Sequence, residues 1–135
     1  MKVKGLDGRE YNLKLKDLKR TKCSSGHEEA RGLLKDIFPS YIIYEEVTLP
    51  GSKGKIETHP LYADFLIPNL RILVEVHGLQ HYTYSTHFHK DRLDFIRAQK
   101  RDGNKREWCK INNFSYIELK DDERNKWREQ IINGI

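Results

Sequence analysis

Two apolar stretches joined by only three residues constrain the fold of this chain more than any other feature of its sequence. They occupy residues 61–67 and 71–77, and Pro68-Asn69-Leu70 connects them. A connection this short joins two strands as an antiparallel hairpin, because a parallel pair needs a long crossover. If the chain turns at Asn69-Leu70, residues whose numbers sum to 139 face each other across the hairpin.

The rest of the chain alternates between helical and strand patterns. Apolar residues at helical spacing predict a helix over 26–38, which Pro39 ends. Strands are predicted over 41–49 and 114–119, and further helical segments over 89–112 and 121–132. The order helix, three strands, helix, strand, helix indicates an α/β domain with a mixed sheet and helices on its faces.

The first 22 residues are set apart by their charge. An Asp7-Gly8 turn signal between apolar residues predicts a short β-hairpin, and a loose basic arm is the alternative. We therefore divide the chain into an N-terminal hairpin or arm over 1–22 and a main domain over 23–135.

Composition favours a polyanionic partner. The chain has 135 residues, with 25 Lys and Arg against 20 Asp and Glu, a formal net charge of +5. The two cysteines are far apart and outside any CxxC pair, so neither a disulfide framework nor a Cys-rich zinc site is indicated. The charged N-terminus and the absence of a long apolar run predict an intracellular, cytoplasmic protein without membrane contact.

The predicted hairpin brings acidic residues together. With a sum of 139, Asp64 faces Glu75, with Cβ atoms about 5 Å apart. Period-two alternation places His77 on the same face. Because Glu75 belongs to the apolar strand Leu73-Val74-Glu75-Val76-His77, its charge needs compensation. A shared Mg²⁺, with the Val76 carbonyl as a further ligand, would provide it.

These residues resemble a known nuclease motif. Ala63-Asp64, ten residues and then Glu75-Val76-His77 are similar to the PD-(D/E)XK motif of the restriction-fold nucleases, and specifically to its Vsr-like branch. Ala63 stands where the motif has proline and His77 where it has lysine. A neutral imidazole can accept a proton where an ammonium cannot, so this departure gives His77 the role of base or water-orienting group.

Two longer stretches resemble the phage-type homing endonucleases of that branch: Val74-Glu75-Val76-His77-Gly78-Leu79-Gln80-His81-Tyr82, and Arg101-Asp102-x-x-Lys105 followed by Trp108-Cys109-Lys110-x-Asn112-Asn113. The resemblance covers roughly 25–119. It implies a restriction-endonuclease-like sheet, a phage or bacterial host setting and an additional acid on the first helix. Glu28 matches that acid better than Glu29, and an ordinary first-turn glutamate is the alternative.

Four other residues are candidates near the site. His81, which follows the end of the strand, is free to turn toward the metal or a phosphate, and Gln80 would orient it. Asp102 and Lys105 lie on one helical stripe with Phe95, Ala98 and Cys109, which places them near the sheet. A salt bridge between Asp102 and Lys105 within the helix is the alternative.

The sequence therefore predicts a metal-dependent endonuclease acting on double-stranded DNA, with Mg²⁺ or Mn²⁺ as cofactor. A homodimer would serve double-strand cutting, because one site cuts one strand. The alternatives are a non-catalytic nucleic-acid-binding module on the same fold and a repair or junction-resolving nuclease. The predicted DNA contacts are Lys14, Lys16, Lys19, Arg20, Arg101 and Lys105.

Overall fold

A computed structural model describes residues 1–15, 23–54, 59–78, 89 and 91–135. The strands are β1 (Lys2–Lys4), β2 (Glu10–Asn12), β3 (Tyr44–Leu49), β4 (Leu61–Ile67), β5 (Ile72–His77) and β6 (Ser115–Lys120). The helices are α1 (Ser25–Ile37), α2 (Arg92–Ile111) and α3 (Trp127–Asn133), and short 3₁₀ segments occupy Pro68–Leu70 and Asp121–Lys126. The predicted mixed α/β class is confirmed.

The four long strands form one mixed sheet in the order β3-β4-β5-β6. β4 is antiparallel to both β3 and β5, whereas β6 is parallel to β5. The helices α1 and α3 pack on one face with Phe65, Val74 and Leu119. The helix α2 packs on the other face through Trp108 and Cys109. This second face carries the candidate site.

The register predicted for the hairpin is confirmed. Phe65 pairs with Val74, Leu66 with Leu73 and Ile67 with Ile72, so every pair sums to 139. The 3₁₀ turn Pro68–Leu70 makes the connection, and Arg71 completes it in the left-handed region with φ 50°. A slip of one residue would have moved every side chain to the opposite face.

Two predicted boundaries differ from the structure for local reasons. β3 begins at Tyr44 rather than residue 41, because the Tyr41 amide donates a turn hydrogen bond to the Phe38 carbonyl. The predicted helix over 121–132 is interrupted by Glu123, whose φ of −124° is not helical, so a 3₁₀ segment precedes α3. α1 agrees with the prediction to within a residue, and its N-cap Ser24 accepts a hydrogen bond from the His27 amide.

The N-terminal residues form the predicted antiparallel hairpin rather than a loose arm over the part that the structure describes. Val3 pairs with Tyr11 across β1 and β2. Val3 and Leu13 are buried in the same core as Trp108. One side of the hairpin therefore packs against α2.

Cys23 and Cys109 are both free thiols. Among the described residues, no helix combines the length and apolarity needed to cross a membrane.

Candidate active site

Asp64 and Glu75 hold the end of the hairpin together through their side chains. The Asp64 amide donates to the Glu75 carboxylate at 2.7 Å, and the Val76 amide donates to the Asp64 carboxylate at 2.9 Å. The two carboxyl groups are thus adjacent on one face, as the predicted register requires.

A local distortion of β3 accompanies this arrangement. The pairing of β3 with β4 skips Glu46 and Asp64, although the residues on either side of them are paired. Glu46 has a φ of 53°, in the left-handed region that non-glycine residues rarely adopt. The Asp64 amide, outside that pairing, is the one that donates to Glu75.

Glu75 is almost completely buried, with 1% of its surface exposed. Burial, and next the negative charge of Asp64, raise the pKa of Glu75 to about 8 against the opposing effect of Lys105. The Lys105 ammonium of α2 contacts the Glu75 carboxylate directly. Lys105 therefore pairs with Glu75 and not with Asp102, so the alternative of a salt bridge within the helix is wrong.

His77 is buried on the same face, beside groups from α2 and β6. Its Nδ1 lies 3.4 Å from a Glu118 carboxylate oxygen, and its Nε2 lies 3.8 Å from an Asp102 carboxylate oxygen. The Tyr116 hydroxyl is 3.4 Å from the same Nε2. Both ring nitrogens thus face protein groups, which orient the imidazole.

Tyr116 and Glu118 belong to the cluster because β6 runs parallel to β5, with Glu118 paired with Glu75. Arg106 joins them from α2: its guanidinium donates to Glu118 at 2.6 Å and lies 5.1 Å from the centre of the Tyr116 ring. Burial raises the pKa of the Tyr116 phenol well above its usual range. Sequence analysis missed both β6 residues, since the offset between parallel strands leaves no local signal.

The remaining predicted residues differ in where the structure places them. Val76 is half-buried, and its side chain packs on the opposite core. Glu28 is exposed on α1, which packs on the face opposite the cluster, and among the described residues no hydrogen bond or ion pair links it to Asp64 or Glu75. Arg101 is half-buried on α2 and Lys14 is exposed after β2. Lys16, Lys19, Arg20, Gln80 and His81 lie outside the described residues.

A second buried charged group, also missed from the sequence, lies on the α1 face. Glu45 of β3 is 3% exposed and receives two Arg31 donors at 2.8 Å. His27 Nε2 lies 2.8 Å from the same carboxylate, and the His27 ring stacks on Phe65 at 4.3 Å. Burial opposes ionisation, but the hydrogen bonds from Arg31 and His27 lower the pKa of Glu45. This cluster fastens α1 to β3; its sequence signal was a carboxylate within an apolar strand.

The donor set determines which metal the site would suit. Within the described ranges, no three His, Cys, Asp or Glu side chains are grouped to hold a metal ion. Asp64 and Glu75 nevertheless form a carboxylate pair, and Mg²⁺ is commonly bound by one or two carboxylates with water and substrate phosphate. The pair therefore fits a hydrated Mg²⁺ or Mn²⁺ better than a four-ligand zinc site.

Comparison with known proteins finds a viral relative without an assigned activity. No known protein family matches the chain, and no solved structure does. The uncharacterized protein 307L of Invertebrate iridescent virus 6 is 40% identical over 70 residues, which is 52% of this chain. The chain spans only 36% of the length of that relative.

Proposed function

We propose that this protein is a metal-dependent DNA endonuclease that hydrolyses phosphodiester bonds, with a restriction-endonuclease-like sheet of the Vsr-like type. One observation carries the proposal: the buried Glu75 carboxylate lies beside that of Asp64, and each accepts an amide hydrogen bond from the other strand. An unpaired buried carboxylate costs several kcal/mol, and two together cost more unless a cation compensates them.

The charge of the whole cluster supports a cation. In the described part of the protein, Lys105 contacts Glu75 and Arg106 contacts Glu118, while the Asp64 carboxylate lies beside Glu75 and that of Asp102 lies beside His77. Carboxylates that are ionised at this position repel a DNA phosphate. A divalent cation held by Asp64 and Glu75 would offset that repulsion.

Each side chain then has a defined role. Asp64 and Glu75, with the Val76 carbonyl, would hold Mg²⁺ or Mn²⁺, and the ion would stabilise the negative charge that develops on the phosphate oxygens. Lys105 neutralises Glu75 and positions its carboxylate. His77, oriented by Glu118 and Tyr116, accepts or relays a proton beside the carboxylates.

A non-catalytic nucleic-acid-binding module is the competing function, and the Lys105 contact is the observation that favours it. Lys105 already supplies a counter-charge to Glu75, as a purely structural ion pair would. In that case the protein would bind DNA without cutting it.

Cleavage of supercoiled plasmid separates the two functions. We expect wild-type protein to nick plasmid DNA in Mg²⁺ or Mn²⁺ and not in EDTA. Glu75→Gln keeps the shape of the side chain but removes its charge, and should abolish cleavage. The matched control is Glu107→Gln, the same change at an exposed position of α2.

Glu28→Gln tests the additional acid that the resemblance implies. Because Glu28 lies on the face of the sheet opposite Asp64 and Glu75, we expect this variant to retain activity.

Equal cleavage by Glu75→Gln and Glu107→Gln would remove Glu75 from the mechanism. Metal-independent binding with no cleavage by the wild type would favour the binding module.

A further inference from the structure

A polar groove separates the N-terminal hairpin from the end of α2, away from the carboxylate cluster. Its volume is about 330 Å³, and Lys2, Lys4, Glu10, Arg71, Asn112 and Asn113 line it together with two apolar residues. Three cationic side chains thus face one carboxylate, the reverse of the charge balance at Asp64 and Glu75.

The cations of the groove are available to a ligand. Lys2 and Lys4 are exposed, and alternation along β1 directs both away from the buried Val3. Neither lysine forms an ion pair with any residue of the described ranges. Arg71 is also exposed; one of its amino groups donates to the Asn112 carbonyl at 2.8 Å, and its guanidinium lies 5.4 Å from the centre of the Phe114 ring. Its remaining donors meet no acceptor in the described part of the protein.

Asn112 makes the groove a fixed structure. Its side-chain oxygen accepts from the Lys4 amide at 2.7 Å, and its side-chain nitrogen donates to the Lys4 carbonyl at 2.8 Å. The same nitrogen donates to the Trp108 carbonyl at 3.0 Å. The two bonds to Lys4 join residues 108 apart in the chain and hold the hairpin strand against the helix end. The backbone that carries Lys4 is therefore fixed before a ligand binds, which lowers the entropic cost of binding.

We infer that this groove binds the phosphodiester backbone of nucleic acid, as a second contact separate from the carboxylate cluster. Planar guanidinium and paired ammonium groups are the usual partners of phosphate oxygens. Arg71 precedes Glu75 by four residues, so the groove lies roughly 13 Å from the carboxylates along β5. That distance corresponds to about four base-pair steps at 3.4 Å each, so one duplex can reach both sites. The inference rests on the proposed function for its choice of ligand.

Binding to a labelled duplex of about 20 base pairs (about 68 Å), measured by fluorescence anisotropy in EDTA over a range of salt concentrations, tests the groove. The double variant Lys2→Gln/Lys4→Gln should bind more weakly to all sequences. Its plot of log affinity against log salt should be shallower by about 0.9 for each phosphate that the variant no longer neutralises. The matched control is Lys35→Gln/Lys126→Gln, which removes two exposed lysines, from α1 and from the residue preceding α3.

Glu10→Gln provides a change of opposite sign. It removes the one carboxylate that lines the groove and should strengthen duplex binding. An affinity and salt dependence of Lys2→Gln/Lys4→Gln equal to those of the control pair would overturn the inference, and so would weaker binding by Glu10→Gln. If either of these overturning results is obtained while wild-type protein still cleaves plasmid DNA, the inference about the groove is rejected and the proposed nuclease function is retained. A shallower salt dependence in a protein that cuts no plasmid supports the groove and rejects the nuclease.

Discussion

Glu75 shows how burial gives one residue an unusual acidity. Its pKa is raised from 4.5 to about 8, first by burial and next by Asp64. Between these two pH values the folded protein binds more protons than the unfolded chain, so its stability should fall as the pH rises through this window.

We predict that Glu75→Gln removes this pH dependence. The free energy of unfolding of the variant, relative to wild type, should increase from about pH 5 to about pH 8 in EDTA, because glutamine has no proton to release. Urea unfolding of both proteins at the two pH values measures this difference in the free energy of unfolding. If the difference is the same at both pH values, Glu75 ionises normally in the folded protein. Saturating Mg²⁺ should stabilise wild type at the higher pH and leave the variant unchanged.

We predict that His77→Ala lowers cleavage about 10²-fold or more at saturating Mg²⁺, the usual contribution of a positioned acid or base. Duplex affinity in EDTA should stay at the wild-type value, because His77 is buried and does not face the groove. Glu118→Gln, which removes the charge facing Nδ1, should cause a smaller reduction in the same direction. Cleavage by His77→Ala at the wild-type rate would make His77 a structural histidine.

At the scale of the element, α2 combines core packing with the electrostatics of the site. Trp108 and Cys109 are buried against the sheet, while Asp102 and Lys105 on the same stripe reach the β5 side chains. The spacing of Asp102, Lys105 and Cys109 predicted one helix face next to the sheet, and these three side chains do face it. Which carboxylate Lys105 contacts was decided by the approach of α2 to β5.

We predict that Lys105→Gln destabilises the protein by about 1–3 kcal/mol in EDTA. This loss is smaller than that expected when one member of a fully buried ion pair is removed, because Glu75 can take up a proton and become neutral. Saturating Mg²⁺ should reduce the difference in the free energy of unfolding between Lys105→Gln and wild type, because the metal ion supplies another cation next to Glu75. Urea unfolding with and without Mg²⁺ measures both effects. Lys110→Gln, at an exposed position of the same helix, is the control. Equal stability of the two variants would mean that the ion pair between Lys105 and Glu75 adds nothing to stability.

At the scale of the molecule, the two sheet faces carry different tasks. The α1 and α3 face is closed by an apolar core and the Glu45 cluster. The α2 face carries the carboxylates at one end of β5 and the cationic groove at the other. In the proposed nuclease, the Asp64 and Glu75 pair of one chain would serve one phosphodiester bond.

We predict that plasmid cleavage passes through a nicked circle, and that linear product appears with a steeper dependence on protein concentration than the nick. On the proposed mechanism, two copies of the chain would be needed to cut both strands together. Gel analysis of the products against concentration, with sedimentation of the protein on duplex DNA, measures both quantities. Linear product without a nicked intermediate, from protein that sediments as a monomer on DNA, would contradict a homodimer as the cutting species.

Local patterns in the sequence determined the hairpin and much of the site. A turn at Asn69-Leu70 predicts the antiparallel register that the structure shows, and period-two alternation then places Asp64, Glu75 and His77 on one face. The helical period placed Asp102 and Lys105 toward the sheet in the same way. These conclusions needed only residues that are close in the chain.

Only the tertiary structure decided the contacts between distant segments. The parallel pairing of β5 with β6 brings Glu118 beside Glu75, and Asn112 joins the hairpin across 108 residues. Arg31 and His27 meet Glu45 in the same way, across the interface of α1 and β3. Such contacts depend on how whole faces pack, because the offset between distant strands and helices is set by their combined burial and not by any local period.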